Sequence, residues 1–263
     1  PLEPYNLFLS DPVLPAAIKR EGGDVDLLAK FGEQVGTEEM FEWGRLANRN
    51  SPILHTHDRF GTRIDEIEYH PAYHSLLKMS VGNGIHSMRY EQDPGEGAYV
   101  TRNGLMGLVT QVEMGHCCPI SMTSAALPTL RHQPELAAVW EPKIVTREYD
   151  PRLIHPDQKS GVLIGMGMTE KQGGSDVRAN ETTATPFSSK GPGNEYLLNG
   201  HKWFTSAPMC DAFLVLAYAP KGMSCFLVPR VLPDGDRNPM HFVRLKDKLG
   251  NRSNASSELE FVN

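Results

Sequence analysis

The sequence predicts an α+β fold in which an all-helical domain is followed by an antiparallel β-sheet or barrel domain. Before about residue 150 the apolar residues recur at helical spacing, and beyond it come short β-rich runs separated by Gly, Pro, Asn and Asp. A chain of 263 residues has room for two domains, because single cores tend to stop growing at about 250–300 residues. We expect residues 1–160 to form the helical domain and residues 161–263 the β domain, with the boundary near 155–162.

Helical periodicity is clearest near the start of the chain. Val25, Leu28 and Phe31 fall on one face of a predicted helix. A second helix should follow a break near Gly36, with Thr37 as its cap. Proline suits the first position of a helix, so residue 71 should open another one. Residues 104–118, 119–132 and 134–145 are more uniformly apolar, as inner helices would be.

Eight short runs predict the strands of the second domain. No helix among them is long enough for the crossover that parallel strands need, so a doubly wound parallel sheet is not expected. The runs are GVLIGMGM, ETTATPF, EYLLNG, HKWFTS, AFLVLAYA, MSCFLVPR, HFVRL and ELEFV.

Composition and charge exclude several classes of function. A formal net charge of −6 argues against non-specific attraction to nucleic acid or an anionic membrane, and the charged run 244–252 should be a solvated face. No apolar run approaches the roughly 20 residues of a membrane helix, and the first residues do not resemble a secretory signal. His70 and His74 share a helix face without a second cluster, so no metal site is expected. We expect a soluble, cytoplasmic protein with reduced thiols.

The glycine-rich stretch 161–180 fits neither common nucleotide-binding loop. The Walker spacing is missing, and the dinucleotide fingerprint would need glycine where Glu170 stands. The stretch instead predicts a strand that ends in a turn. Gly165 and Gly167 would let another group approach the backbone of this strand closely. Its amides and the Thr169 hydroxyl could bind the polar edge of a planar ring. A tight hairpin with incidental polar residues is the alternative.

Two motifs carry a family resemblance. Residues 167–179, GMTEKQGGSDVRA, resemble the signature of the acyl-CoA dehydrogenases, and residues 200–206, GHKWFTS, are similar to the Gly-x-Lys-x-aromatic-x-Thr/Ser segment of their middle β domain. Residues 244–256, RLKDKLGNRSNAS, narrow the resemblance to the AidB-like, alkylation-response branch. The resemblance implies three domains around one FAD, of which we expect this chain to contain the first two and not the C-terminal helical bundle.

The resemblance implies roles for individual residues. Met168 and Thr169 would offer amides and a hydroxyl to the flavin, and Phe204 takes the position of the aromatic residue that packs against its ring. For Trp203, core packing is the more common role of an aromatic residue in a strand. The implied FAD-binding residues are Met168, Thr169, Trp203, Phe204, Thr205 and Ser206, and the implied substrate-binding residue is Ser175, beside a structural Asp176.

The resemblance also implies a function. It indicates an FAD-dependent, acyl-CoA dehydrogenase-like flavoprotein of the AidB type, linked to the DNA alkylation response, with weak activity on short or branched acyl-CoA. An ordinary metabolic short- or branched-chain acyl-CoA dehydrogenase is the alternative. Family members form homotetramers, DNA would bind outside this segment, and the segment alone should bind FAD weakly. The family's catalytic base lies in the C-terminal bundle, so no residue is assigned that role; Glu170 should be structural, and Glu113 should have an Arg or His partner.

Overall fold

The structure is a computed structural model that describes residues 4–91 and 95–262. Within these residues, a helical part precedes a sheet, which confirms the predicted fold class. The helices are α1 (Leu14–Arg20), α2 (Val25–Val35), α3 (Glu38–Arg49), α4 (Pro71–Gly82), α5 (Ala98–Val112), α6 (Cys117–Leu130) and α7 (Pro134–Ile144). The strands are β1 (Ile53–His57), β2 (Arg63–Glu68), β3 (Ile164–Gly167), β4 (Thr183–Pro186), β5 (Tyr196–Ser206), β6 (Ala212–Ala219), β7 (Gly222–Pro229), β8 (Met240–Leu245) and β9 (Ser256–Phe261).

The helix boundaries follow local capping chemistry. α2 ends at Val35 with Gly36 as its C-cap, and the Thr37 side chain accepts a hydrogen bond from the Met40 amide at the start of α3. Pro71 is the first residue of α4. These three features confirm the helix pair broken near residue 36 and the helix that begins at a proline.

A β-hairpin interrupts the helical part, so the expectation of helices alone before residue 160 was wrong. β1 and β2 pair antiparallel and are anchored to the sheet by arginines. The Arg230 guanidinium, 2% exposed, donates to the Asp65 carbonyl at 2.9 Å. Arg63 donates in the other direction, to the Phe242 carbonyl, at 2.9 Å. The hairpin forms because these long-range bonds satisfy backbone groups that a two-stranded sheet leaves unpaired.

The main sheet is mixed and partly closed on itself. Its order is β3-β6-β4-β5-β9-β8, β7 pairs with β6, and β3 also pairs with β5. β6 runs parallel to both β3 and β4, so the expected purely antiparallel sheet is corrected at these two pairings. Parallel pairing is possible without a crossover helix because β4 and β5 supply the return path between β3 and β6.

Two glycines in the sheet have steric roles. The runs EYLLNG and HKWFTS form one strand, β5, through Gly200, whose φ of +146° and close approach to Thr182 exclude a side chain. At Gly165 of β3, a Cβ would collide with the ring of Phe213 on β6. Both positions need glycine for close packing rather than for a phosphate loop.

The core places a helix directly beside the glycine-rich strand. One apolar cluster joins the helices to the sheet through residues such as Phe31, Leu76 and Phe242. A second cluster packs α6 and α7 on β3 and β6, with Leu127 against Ile164 and its neighbours. The Ile164 amide also donates to the Thr123 hydroxyl on α6 at 3.0 Å. The second turn of α6 is therefore bonded directly to the start of β3.

Candidate functional site

The two sequence motifs lie on adjacent strands. Gly167 of β3 pairs with Thr205 of β5, and beyond the strand end the Trp203 amide donates to the Thr169 carbonyl at 2.9 Å. Because this register is continuous, Met168 lies opposite Phe204. The fold thus joins the segments 167–179 and 200–206 into one surface.

A β-bulge shapes this surface. The pairing of β5 with β9 shifts register between Lys202 and Thr205. Lys202 and Thr205 are both buried, whereas Trp203 is half-buried and Phe204 is 46% exposed. A bulge lets two consecutive side chains leave the same face of a strand, so both aromatic rings lie outside the core and core packing does not apply to Trp203.

A lysine joins the two rings. The Lys246 ammonium lies 3.3 Å from the Trp203 ring centroid and 4.6 Å from that of Phe204, and its Nζ is 2.6 Å from Glu258 Oε1. Cation–π contacts at this distance favour one orientation of each ring. We call Met168, Trp203, Phe204 and Lys246 the aromatic platform.

Beneath the platform, Glu170 and Lys202 form an ion pair. Glu170 Oε1 lies 2.8 Å from Lys202 Nζ, and both side chains are fully buried. The carboxylate also accepts hydrogen bonds from the amides of Glu181 and Thr182. Burial by itself would raise the pKa of Glu170, but these hydrogen bonds and the lysine outweigh it and hold the pKa at about 2. The carboxylate is enclosed by structural partners, which agrees with a structural role rather than that of a base.

At the other end of the site, β5 ends in a chain of hydroxyl groups. Ser206 Oγ lies 3.1 Å from Ser256 Oγ on β9, and Lys248 Nζ donates to Ser256 Oγ at 3.0 Å. The Cys118 thiol of α6 lies beside this group; burial raises its pKa, and the neighbouring Asn254 and Ser206 side chains oppose that rise. Lys248 is half-buried, so the charged run 244–252 is not wholly the solvated face that was expected.

The structure does not bring all the candidate residues to this surface. Thr205 points inward, and its buried hydroxyl has no hydrogen-bond partner in the structure. Ser175 is exposed on the turn after β3, where Asp176 accepts from the Arg178 amide at 3.1 Å and pairs with the Arg178 guanidinium. Thr169 is half-buried beside Trp203.

A buried polar network supports the hydroxyl end. Glu113 Oε2 lies 3.0 Å from His116 Nδ1, and His116 Nε2 lies 2.9 Å from the Ser80 hydroxyl. The Ser253 hydroxyl donates to Glu113 Oε1 at 2.6 Å. Burial would raise the pKa of Glu113, but His116 and Ser253 hold it at about 2. The histidine partner expected for Glu113 is present, and the network fastens the loop before β9 to the start of α6.

Sequence reasoning missed Lys248 and Ser256 as members of the site. Both lie in the segment 244–256, which carries the family resemblance and whose charged run was expected to be a solvated face. Across residues 4–91 and 95–262, no group of three or more His, Cys, Asp or Glu side chains could hold a metal ion. In the same residues, no helix has both the length and the apolar character needed to cross a membrane.

Comparison with known families gives matches along nearly the whole chain. Residues 1–151 match the model of the adaptive response protein AidB N-terminal domain, and residues 165–263 match that of the acyl-CoA dehydrogenase middle domain. The chain is 50% identical over 264 aligned residues to the putative acyl-CoA dehydrogenase AidB of Escherichia coli (strain K12), covering 99% of this chain and 48% of the relative.

More distant relatives have the same fold. The chain is 30% identical to acyl-CoA dehydrogenase family member 11 of Caenorhabditis elegans, over 97% of this chain and 43% of the relative. The crystal structure of C. elegans ACDH-11 in complex with C11-CoA matches with a TM-score of 0.86 at 28% identity, over 99% of this chain and 46% of that one. The Bd2924 apo-form matches with a TM-score of 0.85 at 28% identity, over 98% and 52%. The chain therefore spans about half the length of these relatives.

Proposed function

Because the chain belongs to the AidB-like branch of the acyl-CoA dehydrogenase family, we propose that it forms one wall of an FAD site in an acyl-CoA-oxidising flavoprotein. The observation that carries the proposal is that Met168 and Thr169, just beyond the end of β3, lie beside Phe204 and Ser206 of β5. The two motifs are separated by 20 residues in sequence (180–199), and the β3–β5 pairing makes them one surface.

The residues present fit a flavin. An isoalloxazine ring needs an apolar surface for its face and hydrogen-bonding groups for its polar edge. Phe204 is 46% exposed and lies opposite Met168, which supplies the apolar surface. Hydroxyl groups at Thr169 and Ser206 are half-buried at the two ends of the same surface. Aromatic packing of this kind contributes roughly 0.5–1.5 kcal/mol beyond area burial.

Each residue then has a role toward the cofactor. FAD, when bound, accepts the hydride that leaves the β-carbon of an acyl thioester. Met168 and Phe204 exclude water from one side of the ring, and the Thr169 and Ser206 hydroxyls orient its polar edge. Lys246 contacts the rings of both Trp203 and Phe204 and so helps to hold Phe204 in place. Backbone groups of Thr205 and the hydroxyl of exposed Ser175 complete the proposed cofactor and thioester contacts.

No base for the α-proton is assigned among the described residues. Glu170 and Glu113 are both enclosed by hydrogen-bond donors, and the pKa of each is held at about 2. A general base needs a free carboxylate within roughly 2.6–3.2 Å of the proton it removes, usually with a raised pKa. The proposal therefore places the base outside this segment of the complete protein.

The AidB type is favoured over an ordinary short- or branched-chain dehydrogenase. The match to AidB of E. coli extends over 99% of the chain, whereas that to the short/branched chain specific enzyme of Bos taurus covers 36%. The C11-CoA complex of the C. elegans relative supports an acyl-CoA ligand. A cytoplasmic homotetramer and a link to the DNA alkylation response belong to the same proposal and rest on the resemblance. The formal net charge of −6 argues against non-specific attraction of this segment to DNA.

The first test is the visible absorption spectrum of the complete protein. We expect oxidised-flavin bands that bleach when an acyl-CoA is added under anaerobic conditions. Phe204→Ala should weaken FAD binding about tenfold, which corresponds to about 1.4 kcal/mol. Phe187→Ala is the matched control, because Phe187 is also an exposed phenylalanine, at 65%, and lies outside both motifs.

Three outcomes separate the alternatives. A colourless protein that cannot be reconstituted with FAD would overturn the proposal. Equal FAD affinity in the Phe204→Ala and Phe187→Ala proteins would show that the aromatic platform is not part of the FAD site. A yellow protein that no acyl-CoA bleaches would leave FAD binding intact and refute the proposed substrate class.

A further inference from the structure

Two lysines on the loop between β8 and β9 differ in how their charge is balanced. Lys246 Nζ is 2.6 Å from Glu258 Oε1, a carboxylate that also pairs with Arg244. Lys248 Nζ donates only to neutral oxygens, the Asn254 carbonyl at 2.6 Å and Ser256 Oγ at 3.0 Å. Among the described residues, no carboxylate lies within 4.0 Å of Lys248 Nζ. Lys248 therefore carries a positive charge that none of the described carboxylates pairs with.

That charge is partly withdrawn from water. Lys248 is half-buried, and burial lowers its pKa. Removing an ammonium group from water without a counter-ion costs free energy. A nearby ligand that carries or gains negative charge would recover part of this cost.

Lys248 also sets the direction of the hydroxyl chain. An ammonium group can only donate, so Ser256 Oγ must accept from Lys248. The Ser256 proton is then free to point to Ser206 Oγ, 3.1 Å away. With that oxygen accepting, Ser206 keeps its own proton to donate to another acceptor.

The loop that carries Lys248 is held from both sides. Ser253 donates to buried Glu113 at 2.6 Å, and the Lys246 amide donates to the Ser256 carbonyl at 2.8 Å. These bonds join the loop to α5, α6 and β9. The fold thus holds Lys248 in place beside Ser256. Its position is more restricted than that of a lysine on the protein surface.

We infer that Lys248 is a positioning residue that fixes Ser206 as a hydrogen-bond donor and favours the reduced form of the flavin. This rests on the proposed function. Transfer of a hydride, two electrons with one proton, leaves the flavin ring more negative than in its oxidised form. A donor and a positive charge at the ring edge bind the reduced form more tightly and so raise the reduction potential.

The test is the reduction potential of FAD in the complete protein, measured by equilibration with a reference dye. Lys248→Met should lower the ratio of affinities for reduced and oxidised FAD about tenfold, equivalent to about 30 mV for a two-electron couple. Ser256→Ala, which keeps the charge but breaks the chain, should lower the potential by a smaller amount. Lys248→Arg keeps a charged donor and should restore most of the wild-type value.

Arg252→Gln is the matched control. Arg252 lies on the same loop but is exposed, so water screens its charge and the potential should stay at the wild-type value. An unchanged potential in Lys248→Met, or an equal fall in Arg252→Gln, would overturn the inference.

The outcomes also separate this inference from the proposed function. A yellow wild-type protein whose potential does not respond to Lys248→Met refutes only the role of Lys248. If the Lys248→Met protein cannot retain FAD, the reduction potential of the Ser256→Ala protein is the deciding measurement. A wild-type potential in Ser256→Ala refutes the role of the hydrogen bonds from Lys248 through Ser256 to Ser206. A wild-type protein that binds no FAD would refute the proposed function and the inference together.

Discussion

Replacing Glu170 with glutamine should destabilise the protein strongly, although the change is nearly isosteric. Glu170→Gln removes the negative partner of Lys202, whose side chain is fully buried. It also removes the charged acceptor for the amides of Glu181 and Thr182. Lys202 would be left as a buried ammonium with a neutral amide beside it.

The magnitude follows from two arguments. Removing one partner of a buried ion pair costs about 3–5 kcal/mol. Separately, the folded state lowers the pKa of Glu170 from 4.5 to about 2, which at about 1.4 kcal/mol per pKa unit gives roughly 3 kcal/mol. A lowered carboxyl pKa stabilises the folded state above pH 4.5, and this stabilisation is lost as the pH falls toward 2. We therefore expect a loss of about 3 kcal/mol at pH 7, which shrinks on acidification.

Urea unfolding followed by tryptophan fluorescence measures this free energy. Glu181→Gln is the matched control, since Glu181 is an exposed neighbour and the same chemical change there should cost less than about 0.5 kcal/mol. The double variant Glu170→Gln, Lys202→Met should be more stable than Glu170→Gln alone, because no buried charge remains. If Glu170→Gln unfolds at the same urea concentration as Glu181→Gln, the ion pair does not hold the turn after β3.

Three further predictions concern other parts of the fold. Burial lowers the pKa of His86 from 6.5 to about 4, so lowering the pH from 6.5 to 5 should cost about 2 kcal/mol of unfolding free energy; a pH-independent difference between the wild type and His86→Asn would contradict this. Gly165→Ala should destabilise by about 1–3 kcal/mol through overpacking, whereas Gly174→Ala, where a Cβ meets nothing within 4 Å, should be close to neutral in the same urea experiment. Glu113→Gln should cost about 2 kcal/mol and Ser253→Ala about 1 kcal/mol, and the reverse order in thermal unfolding would refute the proposed support of the loop.

Local chemistry made the helices and most strands predictable. Thr37 and Pro71 mark helix starts because their capping and backbone properties act within a few residues. The hairpin β1–β2 was missed for the opposite reason. Its short, polar strands become stable through Arg230, 165 positions away from Asp65 in sequence, and such a contact leaves no periodic pattern. The parallel pairing of β3 with β6 is equally non-local.

The sequence shows the two motifs that form the site, but it did not predict how they are arranged in space. The bulge that turns Trp203 and Phe204 to the same side depends on how β5 meets β9, which the motif alone does not encode. The chain from Lys248 through Ser256 to Ser206 joins residues whose spacing fits no motif. The individual flavin and substrate contacts stay predictions, and the family resemblance, not residue patterning, supplied them.

The arginines that bond the hairpin to the main sheet make it difficult to separate the β domain from the helical part. A β domain excised at residue 161 would lose the Asp65 carbonyl that accepts from Arg230 and the Ile64 carbonyl that accepts from Arg237. Arg230, which is 2% exposed in the intact chain, would then lose both that acceptor and the hairpin packed beside it. The two parts should therefore unfold in one cooperative transition, and proteolysis between them should yield fragments that remain associated rather than two independent domains.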